Sequence, residues 1–243
     1  MTISPLSLPS LQRALLEGWR VAGATRGVSV AYALVFTLAG LAIMGGLLHR
    51  GWTPFILAAA GAFMLVGPAI LAGFFGIAEA LEAGKAPGTG DIVSGYRRAA
   101  RALWALALIC LLLFMIFVTD AAILYAYMIG VEPVWLDRLL PASLAVVSFM
   151  RWTAVSGLVV ACLLYCVAAF SVPLLCERRA GLVEAVVLSV RVVFGNFLPV
   201  VFWAFILAVV IIGSVLLLPL LPLTLPWMAY ASRALYREAL PDE

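Results

Sequence analysis

Asp120, the single histidine His49, the Cys162 and Cys166 pair and the Glu79 and Glu82 pair are the side chains of this chain whose types could carry chemistry. Asp120 is the one acid deep in an apolar stretch, and an intramembrane carboxylate is a common start for a proton or ion relay. It lies 19 residues past Arg101, roughly 28 Å of helix at 1.5 Å per residue, which moves it to the far boundary of that stretch. Tyr125 and Tyr127 follow, as an aromatic belt at a membrane boundary would. The expectation is an interfacial carboxylate, hydrogen-bonded by Thr119 or paired with Arg151. His49 stands beside Arg50 at the end of an apolar run. One imidazole cannot supply both axial ligands of a bis-histidine haem, and nearby outer loops add only Glu132 and Asp137 as metal partners. No metal and no cofactor is expected.

Cys162 and Cys166 are four apart, a spacing that is neither a redox C-x-x-C nor a paired zinc motif. On a helix their side chains would stack on one face rather than point at each other, which disfavours a disulfide. They are expected to pack as small apolar groups. Glu79 and Glu82 share one helix face beside Lys85, which is the pattern of a solvated helix end. Acid–base or nucleophilic catalysis requires a nucleophile and a base within hydrogen-bond reach. Neither a buried His–Asp–Ser set nor paired carboxylates meet that need here, so the chain is not expected to be an enzyme.

The elements that must position these residues are membrane helices. Hydrophobic residues make up 66% of the chain and charged ones 11%, with a mean hydropathy of +1.18, far outside the range of ordinary soluble domains. The 41 residues from Val192 to Ser232 carry no charged side chain. One helix of that length would run roughly 60 Å, about twice the thickness of a bilayer core, so the segment must cross, turn and cross back. Uncharged stretches place spans at Val28–Leu48, Phe55–Ala78, Ala102–Ile129, Trp152–Leu175, Asn196–Ile212 and Ser214–Ser232. With the amino terminus in the cytoplasm, 12 of the 15 lysines and arginines fall inside, leaving Arg50, Arg138 and Arg151 outside. That asymmetry is what the positive-inside rule demands. A single span over residues 196–232 would reduce the split to 10 against 5. The expected fold is therefore all-α and polytopic, with six transmembrane helices, both termini cytoplasmic, and a lipid bilayer rather than nucleic acid as partner.

Met1–Ser10 has no basic n-region and the first apolar run starts near Val28, so that run is expected to remain as a span rather than be cleaved as a signal peptide. Helical rather than alternating patterns exclude an outer-membrane barrel, leaving a bacterial inner membrane as the setting.

Each pair of spans follows a short, partly polar helix. Ser10–Ala24 has Leu11, Leu15, Trp19 and Ala22 on one face, Arg13, Glu17 and Arg20 on the other, and Ser10 as N-cap. Asp91–Ala100 is capped by Asp91, and Gly181–Phe194 sets Glu184 and Arg191 on one stripe. The second span of each pair carries Pro68, Pro173 or Pro226. A degenerate threefold repeat over 10–85, 89–177 and 180–237 accounts for this pattern. So does the general habit of basic linkers to lie at the inner interface. Small residues at Ala72, Gly76, Ala80 and Gly84 form a ridge for close helix contact, within the chain or between two copies. Residues 131–150, with Pro133, Trp135, Asp137, Arg138 and Pro141, suit a short helix lying in the outer interface.

The runs Leu65-Val66-Gly67-Pro68 to Ala78-Glu79-Ala80-Leu81-Glu82-Ala83-Gly84-Lys85, Phe170-Ser171-Val172-Pro173-Leu174-Leu175 with Ser189-Val190-Arg191 and Asn196, and Trp227-Met228-Ala229-Tyr230 with Arg233-Ala234-Leu235-Tyr236-Arg237 resemble a bacterial family of predicted six-helix integral membrane proteins of unknown function. The resemblance implies a membrane protein and carries no catalytic residues. Some members bear a putative cytochrome c oxidase label. A haem-copper catalytic subunit needs several histidines, and this chain has His49 alone, so only an accessory or assembly role beside a respiratory complex is compatible with that label. Two roles are open on the sequence: an accessory, assembly or scaffolding component of a larger membrane complex, or a small-solute transporter or channel built from hairpin repeats. The oligomeric state is not set by either.

Overall fold

The computed structural model describes residues 2–53, 55–56, 59, 67–98, 101–130 and 144–241. Its helices are α1 (Leu8–Ala24), α2 (Arg26–His49), α3 (Gly67–Glu82), α4 (Thr89–Arg98), α5 (Arg101–Met128), α6 (Leu144–Ala168), α7 (Ser171–Cys176), α8 (Leu182–Gly195), α9 (Phe197–Leu216) and α10 (Leu221–Ala239), with a 3-10 turn at Leu218–Leu220. Among the described residues there is no strand. Four helical stretches are long and apolar enough to cross a membrane: Arg26–His49, Arg101–Met128, Leu144–Cys176 and Phe197–Leu216. Each is apolar around its whole circumference, and side chains such as Leu38, Leu112, Leu158 and Phe205 lie exposed on the outside, as a lipid solvent permits.

Two of the expected spans take a different form. Ser214 belongs to α9, and the chain breaks at Leu217 before α10 starts at Leu221. Pro219 sits in the 3-10 turn and Pro222 opens α10, where a missing N–H and a fixed φ suit a helix start and forbid its continuation from α9. Much of α10 is enclosed, with Leu221, Met228, Tyr230, Leu235 and Tyr236 buried, and its last turns carry Arg233, Arg237 and Glu238. Phe55–Ala78 lies partly outside the described residues, which give α3 from Gly67. The proposed outer interfacial helix divides: 131–143 lie outside the described residues, and 144–150 are the first two turns of α6.

Three short amphipathic helices each precede a long apolar one: α1 meets α2 at Thr25, α5 follows α4, and α8 meets α9 at Asn196. Their starts differ from expectation in a consistent way. Ser7, not Ser10, caps α1, and Ser10 is the third helical residue, its hydroxyl accepting from the Ser7 N–H at 3.3 Å. Likewise α4 starts at Thr89, and Asp91 reaches back to accept the Gly88 N–H at 2.8 Å. Both are the reciprocal half of a capping box, a residue type that a sequence cannot distinguish from the cap itself. Trp19 also moves: it is 60% exposed, touching Trp227 edge-on at 5.3 Å, while Leu11, Ala14 and Gly18 form the buried line.

These short helices dock in a cyclic order. α4 packs on α3, α8 on α6 and α7, and α1 closes the ring on α10. Contact is close enough at two joints to require residues without side chains. A Cβ on Gly76 would lie 2.2 Å from the Asp91 carbonyl oxygen and 2.8 Å from Gly95 Cα, and one on Gly18 would lie 2.5 Å from the Ala231 nitrogen. The small-residue ridge therefore packs within the chain at Ala72 and Gly76, whereas Gly84 lies beyond α3 at φ 70°, exposed. At the third joint hydroxyls replace glycine. Ser189 of α8 donates to the Cys166 carbonyl at 2.8 Å and accepts the Phe170 N–H at 3.2 Å, and Ser171 donates to the Ala185 carbonyl at 3.1 Å. These bonds satisfy backbone groups freed where α6 breaks before α7.

Candidate functional site at the charged end

The C-terminal ends of α3, α7 and α10 meet at one end of the bundle, bringing together Glu82, Glu177, Arg233 and Arg237. Arg233 is the buried member at 4% exposure. Its guanidinium bonds both oxygens of Glu82, at 2.6 and 3.2 Å, and lies 3.2 Å from Glu177 Oε1. Phe75 covers its face, with the ring centre 5.7 Å away. Arg237, one turn later, repeats the grip from the solvent side, at 2.7 Å to Glu82 and 3.1 Å to Glu177. Two planar donors therefore hold two carboxylates from separate helices, the geometry for which arginine is suited. The Arg233 Nε atom is buried without a hydrogen-bond partner.

Electrostatics follow from this geometry. Burial pushes the Glu82 carboxyl up, but its hydrogen bonds to Arg233 and Arg237 and their charges outweigh that and hold it below the ordinary value of 4.5. At neutral pH Glu82 is a fixed anion between two cations. Such a group clamps helices together and has no proton to pass.

Around the clamp, Glu79 pairs with Arg98 at 2.8 Å, tying α3 to α4, and Arg13 pairs with Glu238, tying α1 to α10. Arg179 donates at 2.8 Å to both the Tyr236 hydroxyl and the Leu240 carbonyl. Deeper in, Tyr230 shares a hydroxyl cluster with Ser29 at 2.6 Å and Thr25 at 3.4 Å, and Tyr32 bonds the Ile70 carbonyl at 3.1 Å and the Tyr96 hydroxyl. Asn196, at the break before α9, accepts the Leu6 N–H at 2.6 Å and donates to the Ser4 carbonyl at 3.4 Å, and the Ser4 N–H reaches the Ala239 carbonyl at 3.0 Å.

The residues singled out on chemical grounds do not converge. Asp120 is half-buried on α5; Thr119 donates instead to the Met115 carbonyl at 2.8 Å, and Arg151 lies over the Trp152 ring at 5.9 Å. The expected Thr119 and Arg151 partnerships are not formed, because both side chains have nearer partners on their own helices. His49 is the last residue of α2, exposed, at the opposite end from the clamp. Cys162 is exposed and Cys166 half-buried on α6, and both are free thiols. Among the described residues no three metal-ligating side chains gather. Glu79 and Glu82 are the exception: read as a solvated helix end, they are ion-paired across helices. What the sequence hid was Arg233, which sits 151 positions from its partner Glu82.

No curated protein and no solved structure matches the chain. A family model described as predicted integral membrane protein matches residues 55–177, just over half the chain, a stretch running from the start of the second expected span to Glu177 of the clamp. With its apolar helices and this match, the chain belongs to the DUF2189 family of predicted integral membrane proteins.

Proposed function

We propose that this protein is a non-enzymatic, six-span component of the bacterial inner membrane, both termini cytoplasmic, that serves as an accessory, assembly or scaffolding part of a larger membrane complex. Its chain is three interlocked units, 10–85, 89–177 and 180–237, each an interfacial helix followed by a hairpin. The observation that carries this reading is the core: Phe74 and Phe75 of α3, Leu174 and Leu175 of α7, and Leu221 and Met228 of α10 are all fully buried in one apolar cluster. A centre packed with large apolar side chains supports a rigid body whose work lies on its outer surface. A respiratory complex is one partner compatible with that surface. Extraction of a tagged copy into a lipid-preserving polymer, followed by native electrophoresis and mass spectrometry, is expected to recover it with the subunits of one complex. Recovery as a clean homo-oligomer would overturn the reading.

The transporter alternative draws on the helix breaks at Ala169–Phe170 and Leu217–Leu220, since discontinuous helices are where many transporters bind solutes. Ser189 already occupies the backbone groups freed at the first break, which favours the packed-component reading. Solute flux in liposomes above that of empty vesicles would favour the transporter.

A further inference from the structure

Exposed apolar side chains and exposed arginines that no carboxylate holds recur along the three amphipathic helices and the starts of the long ones. α1 shows Leu16 and Trp19, and Arg26 opens α2; α4 shows Val93 and Arg97, and Arg101 and Trp104 lie in the first turn of α5; α8 shows Val187 and Phe194 beside Arg191. The contrast with neighbouring arginines is informative. Arg13, Arg20, Arg98, Arg233 and Arg237 each pair with a glutamate, whereas Arg26, Arg97, Arg101 and Arg191 are exposed and form no ion pair among the described residues. All three groups lie at the clamp end: Thr25, before Arg26, bonds Tyr230, one turn from Arg233; Arg98, next to Arg97, bonds Glu79; and Asn196, after Arg191, bonds Leu6, near Ala239.

We infer that these exposed arginines form a ring of binding sites for anionic phospholipid headgroups, each arginine taking a phosphate while the neighbouring exposed apolar side chains lie among the acyl chains. The charge is complementary, since guanidinium pairs with phosphate through two parallel hydrogen bonds. The apolar side chains supply the second half of the recognition, because a lipid brings an acyl region next to its phosphate and a soluble anion does not. The inference rests on the membrane assignment and not on the accessory role, so it stands if the protein purifies alone.

The test is native mass spectrometry of protein taken from nanodiscs of equimolar phosphatidylglycerol and phosphatidylcholine. Wild type is expected to retain phosphatidylglycerol preferentially, by about fivefold for a single arginine site. R26Q/R97Q/R101Q/R191Q should retain the two lipids equally, while R50Q/R151Q, altered at the opposite end, should keep the preference. Equal retention by wild type, or an unchanged preference in the quadruple variant, overturns the inference. Should the quadruple variant fail to fold, wild-type tryptophan quenching decides: brominated phosphatidylglycerol must quench more strongly than brominated phosphatidylcholine at the same mole fraction, and equal quenching overturns the proposal.

Discussion

Arg233 and Arg237 make similar contacts to the same two glutamates and should not be equivalent. Arg233 is buried with Glu177 beside it at 13% side-chain exposure, whereas Arg237 is 43% exposed and Glu82 47%. Removing Arg233 takes the buried donor from Glu177 and leaves both carboxylates to Arg237 alone, which costs about 1–3 kcal/mol, whereas an exposed pair contributes under about 1 kcal/mol. R233Q should therefore lower the melting temperature in detergent by several degrees and R237Q by little, as read by intrinsic fluorescence on heating. Glu82 gives the clamp a pH dependence. Its folded carboxyl is held below the ordinary 4.5, so its stabilisation is complete above that value and is lost as pH falls through the depressed one. Wild type should lose melting temperature below pH 4.5, and E82Q, which cannot titrate there, should lose less over the same interval. At Gly76 the issue is space alone. G76L would drive a side chain into the Asp91 carbonyl and cost about 1–3 kcal/mol through overpacking, seen as a lower melting temperature; a neutral result would show that α3 and α4 are not held at this separation.

At the scale of elements, the connections between amphipathic and long helices matter more than the helices themselves. Asn196 stands at the break between α8 and α9 and holds the segment before α1 through Leu6 and Ser4. N196A removes both bonds, and a lost side-chain partner for buried backbone groups costs about 1–2 kcal/mol. Hydrogen exchange should accelerate at residues 4–6 with little change in α5, which lies outside this contact. Equal exchange in the variant would mean that Leu6, itself buried, holds the segment by packing alone. The capping residues make a related point. Ser10 and Asp91 were legible as helix-start signals, yet both sit at the third helical position, because the two halves of a capping box use overlapping residue types.

For the whole molecule, α1 docks on α10, α4 on α3 and α8 on α7, so that each amphipathic helix packs on a helix other than the long one that follows it. A chain cut in the exposed loop between Gly84 and Thr89 and expressed as two pieces should reassemble, since α4 binds α3 through the Gly76–Gly95 contact and α1 binds α10 through Gly18 and Ala231. Co-purification of the untagged piece with the tagged one is the readout. Failure to co-purify would mean that the covalent loop, and not these contacts, holds the two pieces together.

The sequence by itself determined that this is an all-α membrane protein, because runs such as Val192–Ser232 carry no charge and a bilayer admits only helices whose backbone bonds are internal. Periodicity also exposed the three amphipathic helices, since a local 3.6-residue repeat needs no knowledge of distant residues. Tertiary structure alone decided the partners. Glu79 and Glu82 read as a solvated end because the arginines that pair with them lie on α4 and α10, and pairing across 151 positions leaves no local trace. Periodicity groups Trp19 with Leu11 and Leu15 on one face, and only the docking of Gly18 against Ala231 fixes which side of α1 turns inward. Likewise Ser214–Ser232 reads as one more span, and only the packing of α1, α2, α3 and α9 on α10 shows that this helix is largely enclosed by protein.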